Sequence, residues 1–158
     1  MRTLYFDIDG VLLSYEDVQR PLLSAGALEK RLKTLGFGRL VCVSGWSDIV
    51  NADVLGNSRR SQELAIHRML ESIFPDQTWF LSRLTLAHDT DHRCQHIDLT
   101  DDWFYMDDWA DKFFPAQFGA ASYRHHLGRR ILLVNPHSDG GDILQWLDTP
   151  VTALCAQK

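Results

Sequence analysis

Short apolar runs, most of them ending in a polar cluster, are the feature that most constrains what this chain can fold into. The runs are rich in aromatic and β-branched residues and are bounded by turn residues, which is typical of buried strands. They predict five strands, at residues 4–8, 40–43, 78–81, 103–106 and 131–134. Four helices are predicted between and after them, at residues 22–35, 47–55, 59–74 and 142–147. This alternation favours an α/β three-layer sandwich with a mainly parallel sheet.

Composition narrows the class of protein further. The 158 residues are 45% hydrophobic and 23% charged, which excludes a disordered or fibrous chain and fits a single domain over residues 1–158. The apolar runs are far shorter than the roughly 20 residues of a membrane helix. Three cysteines without a CxxC pattern, together with an N-terminus that reaches Asp7 too early for a signal peptide, predict a reduced cytoplasmic protein. A formal charge of −5 excludes a general nucleic-acid coat, but not a contact with a nucleic-acid end.

The polar clusters follow the predicted strands at the point where each strand ends. Because ligands bind outside the carboxyl ends of parallel strands, we expect these clusters to share one edge of the sheet. They comprise Asp7, Asp9, Ser44, Gly45, Asp107 and Asp108. Four carboxylates at one edge repel one another and need a cation. Oxygen ligands alone suit a hard ion such as Mg²⁺, so Asp107 and Asp108 are expected to complete a metal site.

The same residue types suit phosphoryl transfer. The carboxylate of Asp7 can attack phosphorus, and that of Asp9 can protonate the leaving oxygen and then activate water. Gly10 allows the sharp turn after them, while Ser44 and the Gly45 amide can hold phosphate oxygens. Taken singly, the clusters also fit a turn, a loop and a helix cap. Their order, each at a strand end, favours the functional interpretation.

Three stretches carry a resemblance to a known family. Residues 4–12, LYFDIDGVL, look like the first motif of the haloacid dehalogenase (HAD) superfamily. Residues 41–45, VCVSG, resemble its second motif, and residues 104–108, FYMDD, resemble its fourth. The resemblance implies an HAD-like Rossmannoid fold and an Mg²⁺-dependent phosphohydrolase that works through an aspartyl-phosphate.

The resemblance also implies a role for each motif residue. Asp7 is then the nucleophile, and Asp9 the general acid and base, with its carbonyl on the metal. Ser44 is a phosphate ligand, Asp107 is a metal ligand, and Asp108 binds the metal or a group next to it. A narrower similarity, to small HAD domains associated with RNA-repair proteins, rests on Ser44-Gly45-Trp46, Asn51-Ala52, a Trp beside the Asp pair, and residues 134–136.

The chain departs from the family at the third motif, which is usually a lysine that neutralises the nucleophile and the phosphate. No lysine lies between Lys33 and Lys112. An arginine can supply the charge, although its planar fork differs from a compact ammonium. The candidates, in order, are Arg93, Arg83, and then Arg59 or Arg60.

Given the distances between its motifs, the resemblance implies a capless or minimally capped HAD domain. Residues 83–102 have room for a third-motif element but not for a globular cap, and residues 13–20 are expected to form a short flap. An open site favours a bulky phosphorylated substrate, such as a nucleic-acid end or a phosphoprotein. We place a polynucleotide or nucleotide phosphate first and a small phosphorylated metabolite second.

Three further features have competing explanations. The run from His88 to His96 offers histidine, aspartate and cysteine ligands, with histidines four apart on one helical face, or is a polar loop. His125-His126, among arginines, is either a basic patch for a phosphodiester backbone or a solvated loop before a strand. The tryptophans at positions 103, 109 and 146 are expected in the core rather than as platforms for bases.

Two other functions remain open at this point. A receiver-type signalling domain also places acids and a hydroxyl on a doubly wound sheet, but its acid pair belongs to the first strand and its phosphorylated aspartate comes later. In this chain the adjacent Asp107-Asp108 pair comes late. A non-catalytic HAD-like domain that binds phosphate or a protein is the other alternative, and the missing lysine motivates it.

Overall fold

The computed structural model describes residues 1–16, 20–45, 64, 67–68, 70–72, 74–76, 78–87 and 90–157. Their five strands form one sheet in which every pairing is parallel, in the order β3-β2-β1-β4-β5. The strands are β1 (Arg2–Phe6), β2 (Phe37–Cys42), β3 (Leu84–Leu86), β4 (Asp102–Asp107) and β5 (Ile131–Leu133). The predicted α/β class and parallel sheet are therefore confirmed.

Helices lie on both faces of this sheet. In chain order they are α1 (Ala25–Thr34), α2 (Thr78–Arg83), a 3-10 helix (Thr90–His96), α3 (Ala110–Phe118), α4 (Ala120–His126), α5 (Gly141–Trp146), a π-helical turn (Leu147–Val151) and α6 (Thr152–Ala156). Buried side chains of α1, α2 and α5 form one core with the sheet. Those of the 3-10 helix and α3 form a second core on the opposite face. The result is a Rossmann-like sandwich.

The central strand β1 shows why its sequence is apolar without interruption. Leu4 and Phe6 are fully buried in the first core, and Tyr5, which is 2% exposed, lies in the second. A strand that is covered on both faces must bury successive side chains, so the alternation of polar and apolar residues disappears. The same pattern in β4 places Phe104 in the first core and Tyr105 in the second.

The strand predicted at residues 78–81 is wrong. Those residues begin helix α2, and the third strand follows it as β3. Phe80 is buried, with its ring centroid 5.9 Å from that of Phe6 and 6.3 Å from that of Phe74. Packing of a helix onto the sheet face thus outweighs the strand preference of Thr, Trp and Phe, which is itself largely a matter of context.

Several boundaries also differ from those predicted. Helix α1 begins at Ala25 because the hydroxyl of Ser24 accepts a hydrogen bond from the Ala27 amide at 3.3 Å. It ends before Gly36, whose φ of 75° suits glycine, whereas Gly38 lies inside β2. The last helix runs from Gly141 to Trp146 and continues through the π-helical turn into α6.

The remaining helices agree with the sequence-based predictions only in part. Residues 110–126, for which the sequence predicts no element, form α3 and α4. The helix predicted at 47–55 lies outside the described residues. Of the helix predicted at 59–74, positions 64, 67–68 and 70–72 are described and are helical. Leu70 is fully buried there, but Leu64, expected on the same apolar side, is 49% exposed.

The topology positions the candidate site. The chain passes from β1 outward to β2 and β3, and then returns to the other side of β1 to form β4 and β5. In open α/β sheets the ligand crevice lies at the carboxyl ends of the strands where this reversal occurs. Asp7 directly follows β1, and Asp107 is the last residue of β4. Within the part of the chain that the structure describes, no helix has the length and apolar character to cross a membrane.

Candidate active site

Asp7 lies at the centre of this crevice and is held from several sides. Its amide donates to the Met106 carbonyl at 3.2 Å, which continues the pairing of β1 with β4. Its Oδ1 accepts the Ile8 amide at 2.7 Å, and its carboxylate also accepts a hydrogen bond from the Ser44 side chain. The residue is only 7% exposed. The backbone therefore fixes one carboxylate oxygen and leaves the other, Oδ2, facing a different partner.

That partner is Arg93, which the sequence ranks first among the third-motif candidates. Its Nη1 lies 3.2 Å from Asp7 Oδ2 and 3.0 Å from Asp107 Oδ2. The 3-10 helix carries this side chain into the crevice, and the guanidinium carbon lies 3.9 Å from the centroid of the Phe113 ring. The two acids raise the pKa of Arg93 despite its burial, so it remains a cation.

The other candidates do not reach this position within the described structure. Arg83 directly precedes β3 and is exposed, so it lies at the amino edge of the sheet, away from the crevice. Arg59 and Arg60 lie outside the described residues. Since Arg93 alone bridges the two acids among the described basic residues, it is the residue whose charge can act on Asp7.

Asp107 is fully buried and orients its carboxylate through its own neighbours. The Tyr105 hydroxyl donates to Oδ2 at 2.7 Å, and the Trp109 amide donates to Oδ1 at 2.8 Å. Asp108 accepts a hydrogen bond from the Tyr15 hydroxyl on its Oδ2. Its Oδ1 is buried and has no hydrogen-bond partner among the described residues.

These acids form a compact group of oxygen donors. One carboxylate oxygen from each of Asp7, Asp107 and Asp108 lies within 4.8 Å of the others, which is the spacing expected for ligands of one ion. The set contains only oxygen atoms, and such a set fits a hard ion such as Mg²⁺. The carboxylate of Asp9 is not part of this group, although Asp9 lines the same pocket.

Crowding of the acids changes their protonation. Burial, followed by the charge of Asp107, raises the pKa of Asp7 to about 7, against the opposing effects of Arg93 and Ser44. Burial also raises the pKa of Asp108 to about 6, and the hydrogen bond from Tyr15 opposes that rise. One guanidinium therefore does not offset this cluster of acids, and a bound cation would favour their ionised forms.

An open pocket of about 250 Å³ gives access to the acids. It is lined by Asp7, Asp9, Tyr15, Ser44, Gly45, Arg93, Trp109 and Phe113. The structure thus brings together every site residue that the sequence predicts, with Asp107 buried beneath the pocket and Asp108 beside Tyr15. The aromatic residues of the lining are the ones that sequence reasoning missed.

Tyr15 belongs to the loop predicted as a flap at residues 13–20. The base of this loop is closed by hydrogen bonds from the Ser14 amide to the Arg20 carbonyl at 3.0 Å and from the Leu22 amide to the Leu12 carbonyl at 2.8 Å. Gly10, with φ of 75°, makes room for it: a Cβ there would lie 2.5 Å from the Tyr15 ring and 2.6 Å from Asp108 Oδ2. The DxDG turn therefore serves the close approach of the flap to the acids.

The histidine-rich segments do not form a second centre among the described residues. His88 and Asp89 lie outside them. The rest of the run forms the 3-10 helix, which is kinked at His92, so histidines four apart do not share one helical face. His125 and His126 end helix α4 rather than lying in a loop, and the His126 ring packs 5.0 Å from that of Trp103. They precede β5 and so lie at the amino edge, away from the pocket.

The tryptophans divide between the two environments. Trp103 and Trp146 are each 3% exposed, which confirms the prediction that they belong to the core. For Trp109 that prediction is wrong, since it is 48% exposed and lines the pocket. Its place follows from the turn after β4, where its amide binds Asp107 and its side chain points away from the core.

Comparison of the chain with protein-family models, with curated proteins and with solved structures found no match.

Proposed function

We propose that this chain is an Mg²⁺-dependent phosphomonoesterase of the HAD type, acting through an aspartyl-phosphate on Asp7. The observation that carries the proposal is the position of Asp7. It is buried at the reversal point of the sheet, between Ser44 and Arg93, within 4.8 Å of two further carboxylates. A carboxylate nucleophile acts on a phosphoryl group where positive charge faces that group, and Arg93 together with an ion held by the other two acids would supply it.

In the first step a carboxylate oxygen of Asp7 forms a bond to phosphorus as the ester oxygen leaves. Asp9 donates its proton to that oxygen, so an alcohol departs and Asp7 carries the phosphoryl group. The Ser44 hydroxyl, which donates to Asp7 in this structure, would turn to the phosphoryl oxygens, and the Gly45 amide in the same pocket would donate to them as well. Arg93 is adjacent to Asp7, and its charge is placed to balance the negative charge of the transferring group.

In the second step water attacks the phosphorus of the aspartyl-phosphate. Asp9, now a carboxylate, removes the proton from the water, and the bond from phosphorus to Asp7 breaks. Inorganic phosphate leaves and Asp7 is restored. One residue thus serves as acid in the first step and as base in the second.

Asp7, Asp107 and Asp108 would hold the Mg²⁺, together with the main-chain carbonyl of Asp9. When bound, the ion supplies positive charge that favours the ionised form of Asp7 and offsets the charge of the phosphoryl group. The buried Asp108 Oδ1, which has no partner among the described residues, fits this assignment. The open pocket fits the proposed capless form, and free cysteines at positions 42, 94 and 155 fit a cytoplasmic location.

Two alternatives rank below this proposal. Receiver domains have the strand order 2-1-3-4-5, whereas this sheet has the order β3-β2-β1-β4-β5, which argues against that class. A non-catalytic phosphate-binding domain gains support from Arg93, which stands in place of the usual lysine and bridges Asp7 to Asp107. Phosphate binding without hydrolysis of any ester is the result that would favour it.

Hydrolysis of an aryl phosphate, with and without Mg²⁺, tests the proposal. We expect activity that requires the metal and falls by at least about a thousandfold in Asp7→Asn, whose side-chain amide cannot form the aspartyl-phosphate. Asp102→Asn is the matched control, because it removes a partly buried carboxylate at the opposite edge of the sheet. It should keep the activity. Full activity in Asp7→Asn would refute the mechanism.

A further inference from the structure

The rim of the pocket differs in character from its floor. Asp7 on the floor is 7% exposed, whereas Tyr15 is 53% and Trp109 is 48% exposed. Large aromatic side chains are costly to leave in water, and half-exposed ones that line a pocket mark a place where a ligand is covered. The rim therefore presents flat, largely apolar rings, whereas the floor presents the charged and polar groups that suit a phosphoryl group.

We propose that the substrate of this site is a nucleoside phosphate, whose base stacks on Trp109 while its phosphoryl group meets Asp7. The proposal deepens the proposed function and rests on it. Stacking of a base on an aromatic side chain raises affinity by about 5- to 150-fold and accepts any base. The Trp109 amide donates to Asp107, and the Trp109 ring stacks on that of Phe113 with centroids 6.3 Å apart, so the ring lies beside the acids.

The exposed rings at the rim and the acids at the floor are separate, so a ligand that contacts both must hold its own ring at a distance from its phosphoryl group. In an aryl phosphate the ring is attached directly to the ester oxygen, so it stays close to the phosphoryl group. In a nucleoside phosphate the sugar lies between ring and phosphorus, which places the ring at the exposed rim. The exposure of Trp109 and Tyr15 matches the second geometry.

Lys112 adds a cation at the same place. Its Nζ lies 4.0 Å from the centroid of the Trp109 ring, and the residue is exposed. An exposed cation–π contact is weaker than base stacking, so an arriving base displaces the ammonium from the ring face. The displaced ammonium is then free to pair with a neighbouring phosphate, which extends the site from a free nucleotide to the end of a strand.

A matched pair of substrates isolates the contribution of the base. Adenosine monophosphate and ribose monophosphate present the same ester, and only the first carries a ring. We expect kcat/KM to be at least about tenfold higher for the nucleotide, from the lower part of the stacking range. In Trp109→Leu the ratio should fall to about one. The ratio, rather than the rate, is the readout, because a merely structural effect lowers both substrates equally.

Trp79→Leu is the matched control variant. Trp79 also has a lysine near its ring, with Lys33 Nζ 6.0 Å from the centroid, but it lies on α2 away from the pocket. It should keep the wild-type ratio. A terminally phosphorylated dinucleotide extends the series, and its preference over the mononucleotide should depend on Lys112.

The outcomes separate the two proposals. If an aryl phosphate is hydrolysed but neither monophosphate is, the inference is overturned and the proposed function stands. If none of the three is hydrolysed, both fail. If both are hydrolysed with equal kcat/KM, the phosphatase remains and the inference is overturned. A ratio that survives in Trp109→Leu, or a preference for phosphotyrosine over the nucleotide, also overturns it.

Discussion

At the amino edge of the sheet, Asp102 has a guanidinium on each carboxylate oxygen: Arg2 Nε lies 3.0 Å from Oδ2 and Arg130 Nη1 lies 3.1 Å from Oδ1. At the carboxyl edge, Asp7 and Asp107 share the single Nη1 of Arg93, and Asp108 adds a third carboxylate. Both edges belong to the same two strands, β1 and β4. At the amino edge each carboxylate oxygen of Asp102 has a cationic partner, and these ion pairs stabilise the fold. At the carboxyl edge three carboxylates share one arginine, so this edge favours the binding of a further cation. Under the proposed function, the carboxyl edge is the end of the sheet that acts on a ligand.

Replacing the arginine of each edge gives the largest contrast. Arg93→Ala should lower kcat/KM for an aryl phosphate by about 10²–10³, because it removes the charge that faces the transferring group. Arg130→Ala should keep the activity and lower the free energy of unfolding by about 2 kcal/mol, since it leaves Asp102 short of one partner. Steady-state kinetics and thermal unfolding of the two variants check this. Equal loss of activity in both would remove the distinction between the edges, and Arg93→Lys should retain more activity than Arg93→Ala.

The surplus acid should also make the metal-free fold sensitive to pH. Folded Asp7 keeps its proton up to about pH 7, whereas its ordinary pKa is 3.8. Between these values the folded state binds more protons than the unfolded state, so stability falls as pH rises, by about 4 kcal/mol. Thermal unfolding without metal from pH 4 to about pH 8 measures this. Asp7→Asn should flatten the profile, and a wild-type stability that rises across this interval would contradict the account.

Mg²⁺ should stabilise the protein through the carboxyl edge alone. At a hundredfold excess over its dissociation constant, a ligand of the folded state adds about 2.7 kcal/mol. We expect the resulting rise in Tm in the wild type and in Asp102→Asn. Asp108→Asn should lose it, because the Oδ1 that has no described partner no longer carries charge. A rise of the same size in all three proteins would place the ion elsewhere.

The smallest expected effect concerns Tyr15, which joins the flap to the acidic edge. Tyr15→Phe removes the hydrogen bond to Asp108 and keeps the ring. Loss of one such bond is worth about 1 kcal/mol, so the concentration of Mg²⁺ that gives half-maximal activity should rise about fivefold. The rate at saturating Mg²⁺ should change less. A lower rate with unchanged metal dependence would show that Tyr15 acts on the substrate instead of on Asp108.

The acidic edge of the sheet can be predicted from the sequence, because the acids stand at the ends of strands that lie side by side in the fold. The apolar runs of β1 and β4 end in acids, and parallel strands place those ends together, so Asp7 and Asp107 are predictable from local pattern. Arg93 is predictable only as the first of several candidates, since a 3-10 helix brings it to the acids. No pattern predicts Tyr15, whose partner Asp108 lies 93 residues further along the chain.

Helices that depend on long-range packing account for most of the errors in the fold. The strand predicted at 78–81 fails because the contacts of Phe80 with Phe6 and Phe74 are formed only in the tertiary structure. Helix α3 contains Pro115, a residue that usually argues against a helix interior. Phe114, which is fully buried and stacked 5.6 Å from Trp103, holds α3 against the sheet. Packing against a face of the sheet therefore outweighs the local secondary-structure preference of these residues.

Acid quenching of the wild type during hydrolysis of an aryl phosphate with Mg²⁺, followed by mass spectrometry of its peptides, tests the central claim most directly. The account predicts one phosphoryl group on the peptide that contains Asp7, absent when Mg²⁺ is removed and absent in Asp7→Asn. Turnover with no phosphorylated peptide, or with the phosphoryl group on Asp107 or Asp108, would contradict it.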